Sequence, residues 1–226
     1  MNATVIKIGG SLAFQPERLR ALCTKISEYS KKHRLIVVPG GGEFADVVRT
    51  LDKRFSLSCS VTHKMAVLGM DQYGLMLSDL IPNSAKARKL EEVEYFLDQG
   101  KLPVFLPSNL LFSEDPLENS WEVTSDSIAV YLADRMHVQK LLLVTDVDGV
   151  YTADPKANPD SKLIKKLSAS ELLAMNARTS VDKFLPELLL KLPVDCFVVN
   201  GLFPQRVEAV LKGQDTIYTL IKSGLS

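Results

Sequence analysis

The segment 3-ATVIKIGGSLAF-14 decides the fold, because it sets an apolar run, Val5 to Ile8, directly against two glycines and a serine. A run this short, stopped by turn residues, reads as a buried strand, TVIKI over 4–8. Lys7 sits inside it. A buried ammonium is costly unless an anion meets it. Lys7, near the strand's carboxyl end, therefore marks a point where negative charge is expected.

The same pattern recurs downstream. A second apolar strand over 34–39 runs into Gly40-Gly41-Gly42. Between the two, residues 16–33 carry Leu19, Leu22, Ile26 and Tyr29 at helical spacing, with Pro16 in the first turn. Further helices are expected over 43–54, 60–80, 88–99, 125–136, near 168–176 and 182–191, and over 204–212. Further strands are expected over 102–107, 140–147, 194–200 and 215–221. Residues 113–124 are polar and turn-rich, and 148–167 form a charged loop or hairpin. Near-continuous apolar strands separated by helices predict parallel pairing in a sheet covered on both faces. No repeat or linker interrupts the pattern; a division into two lobes would fall near 110–124.

Composition narrows the function classes. The 226 residues hold 27 Lys+Arg and 27 Asp+Glu, so no global charge draws the chain to nucleic acid or an anionic membrane. Cys23, Cys59 and Cys196 form no CxxC pair, and with His33, His63 and His137 they suggest no disulfide framework and no metal cluster. The start, MNATVIK, has no secretory signal shape, and no apolar run approaches membrane-spanning length. A cytoplasmic setting is expected.

Four stretches carry candidate chemistry. Gly9-Gly10 and Gly40-Gly41-Gly42 follow two strands, where ligands of parallel sheets bind. Glycine there admits backbone amides to a phosphate, and the next helix N-terminus adds a favourable potential. Lys7 and the Ser11 hydroxyl complete such an anion site. The blander reading is that the glycines only turn the chain. Neither cluster is a Walker A loop or a GxGxxG fingerprint. The third stretch, TSDSIA over 124–129, caps a helix through Thr124 or Ser125 and places Asp126 in its first turn, which is either plain capping or a carboxylate that orients lysines. The fourth, TDVDGVYTADP over 145–155, crowds Asp146, Asp148, Tyr151 and Asp154 beyond the most apolar strand. It is either a turn or the surround of a nucleotide.

In this order KIGGS, PGGGEFA, TSDSIA and TDVDGVYTADP resemble the amino acid kinase superfamily over nearly the whole chain. The resemblance implies an α/β fold, a three-layer αβα sandwich with a mainly parallel central sheet. It implies one domain over 1–226, with an acceptor-binding lobe (1–112) and a nucleotide-binding lobe (113–226). It implies phosphoryl transfer from ATP, with Mg²⁺. Lys7 would contact the transferring phosphoryl group, and Gly9, Gly10 and Ser11 would cradle the ATP phosphates. Asp126 would organise the catalytic lysines. Thr145, Asp146, Asp148, Gly149, Tyr151 and Asp154 would surround the nucleotide, and Gly40, Gly41 and Gly42 would meet the acceptor. An anionic acceptor oxygen needs no general base, which fits the want of a Ser/His or Cys/His pair.

The chain departs from the family at 176-NARTSVDKFLPELL-189, where many members carry a glycine-rich GGM turn before a second catalytic lysine. Lys183 holds about that place and is the expected second lysine, with Asp182 an equal candidate. Residues 59–77, NSWEVTSDSIA and VDKFLPELL resemble a subgroup assigned to phosphorylating an aminomethylfuran-methyl phosphate. For such an acceptor His63, protonated, would hold the phosphate. Asp71, Tyr73, Trp121 or Glu122 would meet the ammonium. Other acceptors left open are UMP, isopentenyl phosphate, and acetylglutamate or aspartate, for which Arg49 and Lys64 are available. A non-catalytic storage member is a further alternative, against which stand Lys7 and Asp126. A small-molecule phosphate acceptor, no nucleic acid, no membrane and a dimer-based homo-oligomer complete the expectations.

Overall fold

A computed structural model describes residues 3–153, 155, 157–158, 160–175 and 180–225. Among these, one eight-stranded sheet has the order β3-β4-β2-β1-β5-β7-β8-β6. Its strands are β1 (Thr4–Ile8), β2 (Leu35–Pro39), β3 (Ser84–Ala87), β4 (Leu102–Phe105), β5 (Lys140–Thr145), β6 (Lys166–Ser168), β7 (Asp195–Asn200) and β8 (Thr219–Lys222). The helices are α1 (Pro16–Ser30), α2 (Gly42–Phe55), α3 (Cys59–Leu80), α4 (Leu90–Asp98), α5 (Ser108–Glu114), α6 (Ser125–Arg135), α7 (Ala169–Ala174), α8 (Leu185–Leu189) and α9 (Pro204–Leu211).

β1 lies at the centre and pairs in parallel with β2 on one side and β5 on the other. This is a switch point, where connections leave the sheet in opposite directions and a crevice opens at the strands' carboxyl ends. All residues of β2 are buried, as a strand covered on both faces requires. Strand alternation divides the core in two. Val5, Ile36, Val38, Ile128 and Val198 belong to the cluster on one face; Ile6, Ile8, Leu22, Val37 and Val199 belong to the other, with α1 and α9. Lys7 points to the same face as Val5, toward α6.

Five elements differ from the sequence reading. β3 and β6 lie at the two edges, and their sequences SAKA and KLS carry no apolar run to announce them. α5 begins at Ser108, in the 108–112 stretch given no element by the sequence reading, and runs into the polar segment; a 3-10 helix, Gly10–Phe14, follows β1 directly. β8 pairs antiparallel to β7, although a helix separates them. The 212–218 segment between α9 and β8 is long enough, at roughly 3.3 Å per residue, to return the chain along the sheet before it pairs. The loop after β5 does fold back, through an antiparallel bridge between Tyr151 and Leu163. The sheet itself is continuous across the 110–124 region, through the β1–β5 pairing.

Candidate active site

β1, β2, β5 and β7 end along one edge, and their loops converge there by backbone hydrogen bonds. The Gly9 amide donates to the Val144 carbonyl (2.7 Å), the Gly40 amide to Ile8 (2.9 Å) and the Gly201 amide to Thr145 (2.7 Å). The glycines make this convergence possible. A Cβ on Gly10 would run into the Cα and amide nitrogen of Gly42, and one on Gly40 would come within 2.8 Å of the Gly10 nitrogen. Gly42 has φ +55°, a left-handed conformation costly to other residues. Tyr73, fully buried, packs its ring beneath Gly42 and donates its hydroxyl to the Gly9 carbonyl (3.2 Å). Burial pushes its pKa well up, so it stays a neutral donor. No side chain caps the 3-10 helix or α2, which leaves first-turn amides available to an anion.

Lys7 answers the cost of its burial inside the protein. Its Nζ lies 2.6 Å from Asp126 Oδ1, with the two side chains 9% and 13% exposed. Asp126 stands in the first turn of α6, capped by the Thr124 hydroxyl. An ammonium carries three donors, so this bond leaves others for a phosphate.

Asp182 fixes that turn from behind. Its Oδ2 accepts from the Thr124 amide (2.9 Å), the Thr124 hydroxyl (2.8 Å) and the Ser127 amide (3.0 Å). Its Oδ1 accepts from the Ser127 hydroxyl (2.5 Å) and the Leu185 amide (2.8 Å). Burial, and then the charge of Asp126, push its pKa up, partly offset by these donors. Lys183, next in sequence, points outward instead. Its side chain is 77% exposed and pairs with Glu122 at 3.1 Å.

On the β5 side, Ser11 and Thr145 donate their hydroxyls to Asp146 Oδ1 (2.8 and 3.2 Å). Asp148 accepts from Asn200 (2.8 Å) and from Arg206 (2.6 Å). Arg206 also stacks on Phe203, 4.2 Å from the ring centroid. Gly149 has φ +154° and its carbonyl accepts from Ser180. Tyr151 is half-buried, its pKa raised by burial and then by Asp148. Asp154 lies outside the described residues. Asn200, Gly201 and Arg206 escaped the sequence reading, although an Asn-Gly step at the end of an apolar strand repeats the signal that marked Gly9 and Gly40.

On the other side a cleft of about 290 Å³ opens beside Gly10, Ser11, Gly41 and Gly42. Its walls are α2, α3 and the loop before α6. Val67, Met70 and Ile128 form the apolar part, and Trp121, His63, Asp46 and Arg49 the polar part. Trp121 donates its indole N–H to Asp52 (2.8 Å), and the Arg49 guanidinium lies 4.8 Å from its ring centroid. Three of the expected ammonium contacts do not line this cleft. Asp71 is buried and accepts from the Ser108 hydroxyl (2.5 Å) and amide (3.2 Å), with Arg88 at 3.6 Å. Tyr73 lies under the glycine loops, and Glu122 pairs with Lys183. His63 does line it, but burial lowers its pKa, against the protonated form expected. The weaker pull of Asp115 does not reverse this.

Comparison with known proteins agrees with this architecture. The family model described as "Amino acid kinase family" matches residues 2–189. A curated relative from Methanocaldococcus jannaschii, named "[5-(aminomethyl)furan-3-yl]methyl phosphate kinase", is 37% identical over 219 residues, 96% of each chain. A uridylate kinase from Methanococcoides burtonii is 25% identical over 92% of this chain and 91% of its own. The crystal structure of UMP kinase from Ureaplasma parvum superposes with a TM-score of 0.78 at 20% identity, covering 98% of this chain and 99% of that one. The glycine loops, the buried Lys7–Asp126 pair and the match over most of the sequence place the chain in the amino acid kinase family, as an ATP-dependent phosphotransferase.

Proposed function

We propose that the chain transfers the γ-phosphoryl group of ATP to an aminomethylfuran-methyl phosphate, giving its diphosphate and ADP. The observation that carries this reading is the cleft. Glycine amides stand at one end, and a flat aromatic wall, Trp121, stands beside apolar side chains. That shape suits a small molecule with a phosphate at one end and a ring behind it. The 37% identity to a kinase named for that acceptor supports the same choice.

The chemistry follows from placement. An acceptor phosphate oxygen attacks the γ-phosphorus, the bond from that phosphorus to the β-bridging oxygen breaks, and ADP carries away the electron pair. The attacking oxygen is already anionic, so no base is required. Lys7 offsets the charge on the moving phosphoryl group, and Asp126 aims Lys7. Gly9, Gly10 and Ser11 hold the ATP phosphates with amides and a hydroxyl. A Cβ on Gly10 would collide with the Gly42 backbone, so glycine lets the two loops close together and bring their amides to one place. Mg²⁺ travels with ATP and offsets phosphate charge. Thr145, Asp146, Asp148, Gly149 and Tyr151 surround the nucleotide, whose lobe is 113–226; Gly40 to Gly42 and His63 serve the acceptor in lobe 1–112. Asp182 acts through the α6 turn, whereas Lys183 points outward to Glu122 and takes no part in the transfer. The enzyme works in the cytoplasm as a homo-oligomer built from dimers. Support for the assembly comes from Val61, Leu68 and Leu75, exposed at seven-residue spacing on α3.

ADP release with MgATP tests this against the furan phosphate, UMP, isopentenyl phosphate, acetylglutamate and aspartate. Turnover confined to the furan phosphate is expected. Preference for UMP or another acceptor overturns the assignment while leaving the ATP site intact.

A further inference from the structure

We infer that Asp46 selects acceptors that carry a cationic amine, an inference that rests on the acceptor class proposed above. Asp46 is the carboxylate among the residues lining the cleft. Gly42, Asp46 and Arg49 fall at i, i+4 and i+7 of α2 and so share one face. At about 1.5 Å rise per residue, Asp46 stands about 6 Å along the axis from Gly42. A phosphate over the first-turn amides of α2 leaves the far end of a small ring compound within reach of the next turn.

Asp46 is arranged to receive a ligand cation. Its Oδ1 accepts from Arg49 (2.9 Å), with the side chains 56% and 45% exposed. An i,i+3 pair so wet is weak and exchangeable. Arg49 does not depend on it, because its guanidinium also rests against Trp121, which Asp52 anchors. Asp46 can turn to an ammonium while the Arg49–Trp121–Asp52 wall stays in place. The same carboxylate opposes an acceptor with a carboxylate at that position. It therefore discriminates in both directions, for an amine and against an acid.

The test compares the aminomethylfuran-methyl phosphate with its methyl analogue, in which CH₃ replaces CH₂NH₃⁺, at saturating MgATP. The readout is the ratio of kcat/KM for the two compounds. In Asp46→Asn this preference is expected to fall by roughly tenfold to a hundredfold, the value of a hydrogen bond to a charged group. The fall should appear mainly in KM. Asp46→Glu should recover part of it, which a merely structural residue would not do. Asp46 is half-exposed, so both variants should melt as the unsubstituted chain does. An unchanged ratio in Asp46→Asn, with the unsubstituted chain active on the amine, overturns the role of Asp46 alone. Failure of the unsubstituted chain to turn over the amine overturns the acceptor reading instead.

Discussion

At the scale of single residues, the role proposed for Lys7 would tie stability to function through one buried charge. The ion pair with Asp126 is nearly sealed from water, where removing one partner strands the other at a cost of about 3–5 kcal/mol. A double-mutant cycle should expose this. Lys7→Met and Asp126→Asn should each destabilise, and the pair of changes together should cost less than the sum of the two in urea denaturation. Turnover should behave differently. Each single variant should lose at least about a hundredfold in kcat, the usual loss on removing a preorganised group facing transition-state charge, and the double variant should recover none of it. Recovery of turnover in the double variant would assign the pair to the fold alone. His63 gives a second test. Its folded pKa lies below the ordinary 6.5 because burial disfavours the cation. The unfolded chain then takes up the proton more readily, so the contribution of His63 is full above about pH 6.5 and erodes as pH falls through that value. Urea denaturation between pH 8 and 5.5 should show a shallower acid loss in His63→Gln than in the unsubstituted chain.

At the scale of elements, the site is a meeting of strand ends, and the glycines set how closely they meet. Gly10→Ala pushes a methyl into the Gly42 backbone. Backbone cannot rotate away as a side chain can, so the loops must separate. The cost should be about 1–3 kcal/mol, with turnover nearly abolished, because the amides of both loops leave their places. Melting and ADP release on the same preparation check this; normal turnover would mean that the loops need not touch. Much of this was legible in advance. Gly9-Gly10 and Gly40 to Gly42 each followed an apolar run, and TSDSIA carried both a cap and a carboxylate. The buried strands announced themselves because burial on both faces demands continuous apolar sequence. The edge strands SAKA and KLS did not, since a strand with one neighbour has less to bury. Asp71 and Asp46 show the same limit at side-chain level. Both carboxylates lie on helices beside the site, yet one is spent on Ser108 and the other lines the cleft. That difference is set by the packing of α5 against α3, a contact that sequence spacing does not encode.

At the scale of the whole molecule, α3 has a wet apolar face that the protomer does not use. Val61, Leu68 and Leu75 are 45%, 45% and 43% exposed. Positions seven apart nearly superimpose on a helix, drifting only about 20°, so the three form one stripe along the helix. Val47 and Phe44 on the adjoining α2 are also exposed. A helix stripe of this kind pairs well with a copy of itself, since a two-fold axis brings like residues together. The other side of α3 carries His63 and Met70 into the cleft proposed for the acceptor, so an assembly through this stripe would share a helix with acceptor binding. Light scattering should then give at least a dimer for the unsubstituted chain. Leu68→Glu with Leu75→Glu should shift it toward monomer, because like charges would meet across the axis. The same double variant should raise KM for the acceptor more than KM for ATP, because α3 itself supplies the cleft residues His63 and Met70, whereas the Gly9–Ser11 loop, though Tyr73 of α3 also reaches it, is tied to β5 and its loop through the Gly9–Val144 and Ser11–Asp146 hydrogen bonds. A monomeric unsubstituted chain would refute the interface, and equal changes in the two KM values would separate assembly from the acceptor site.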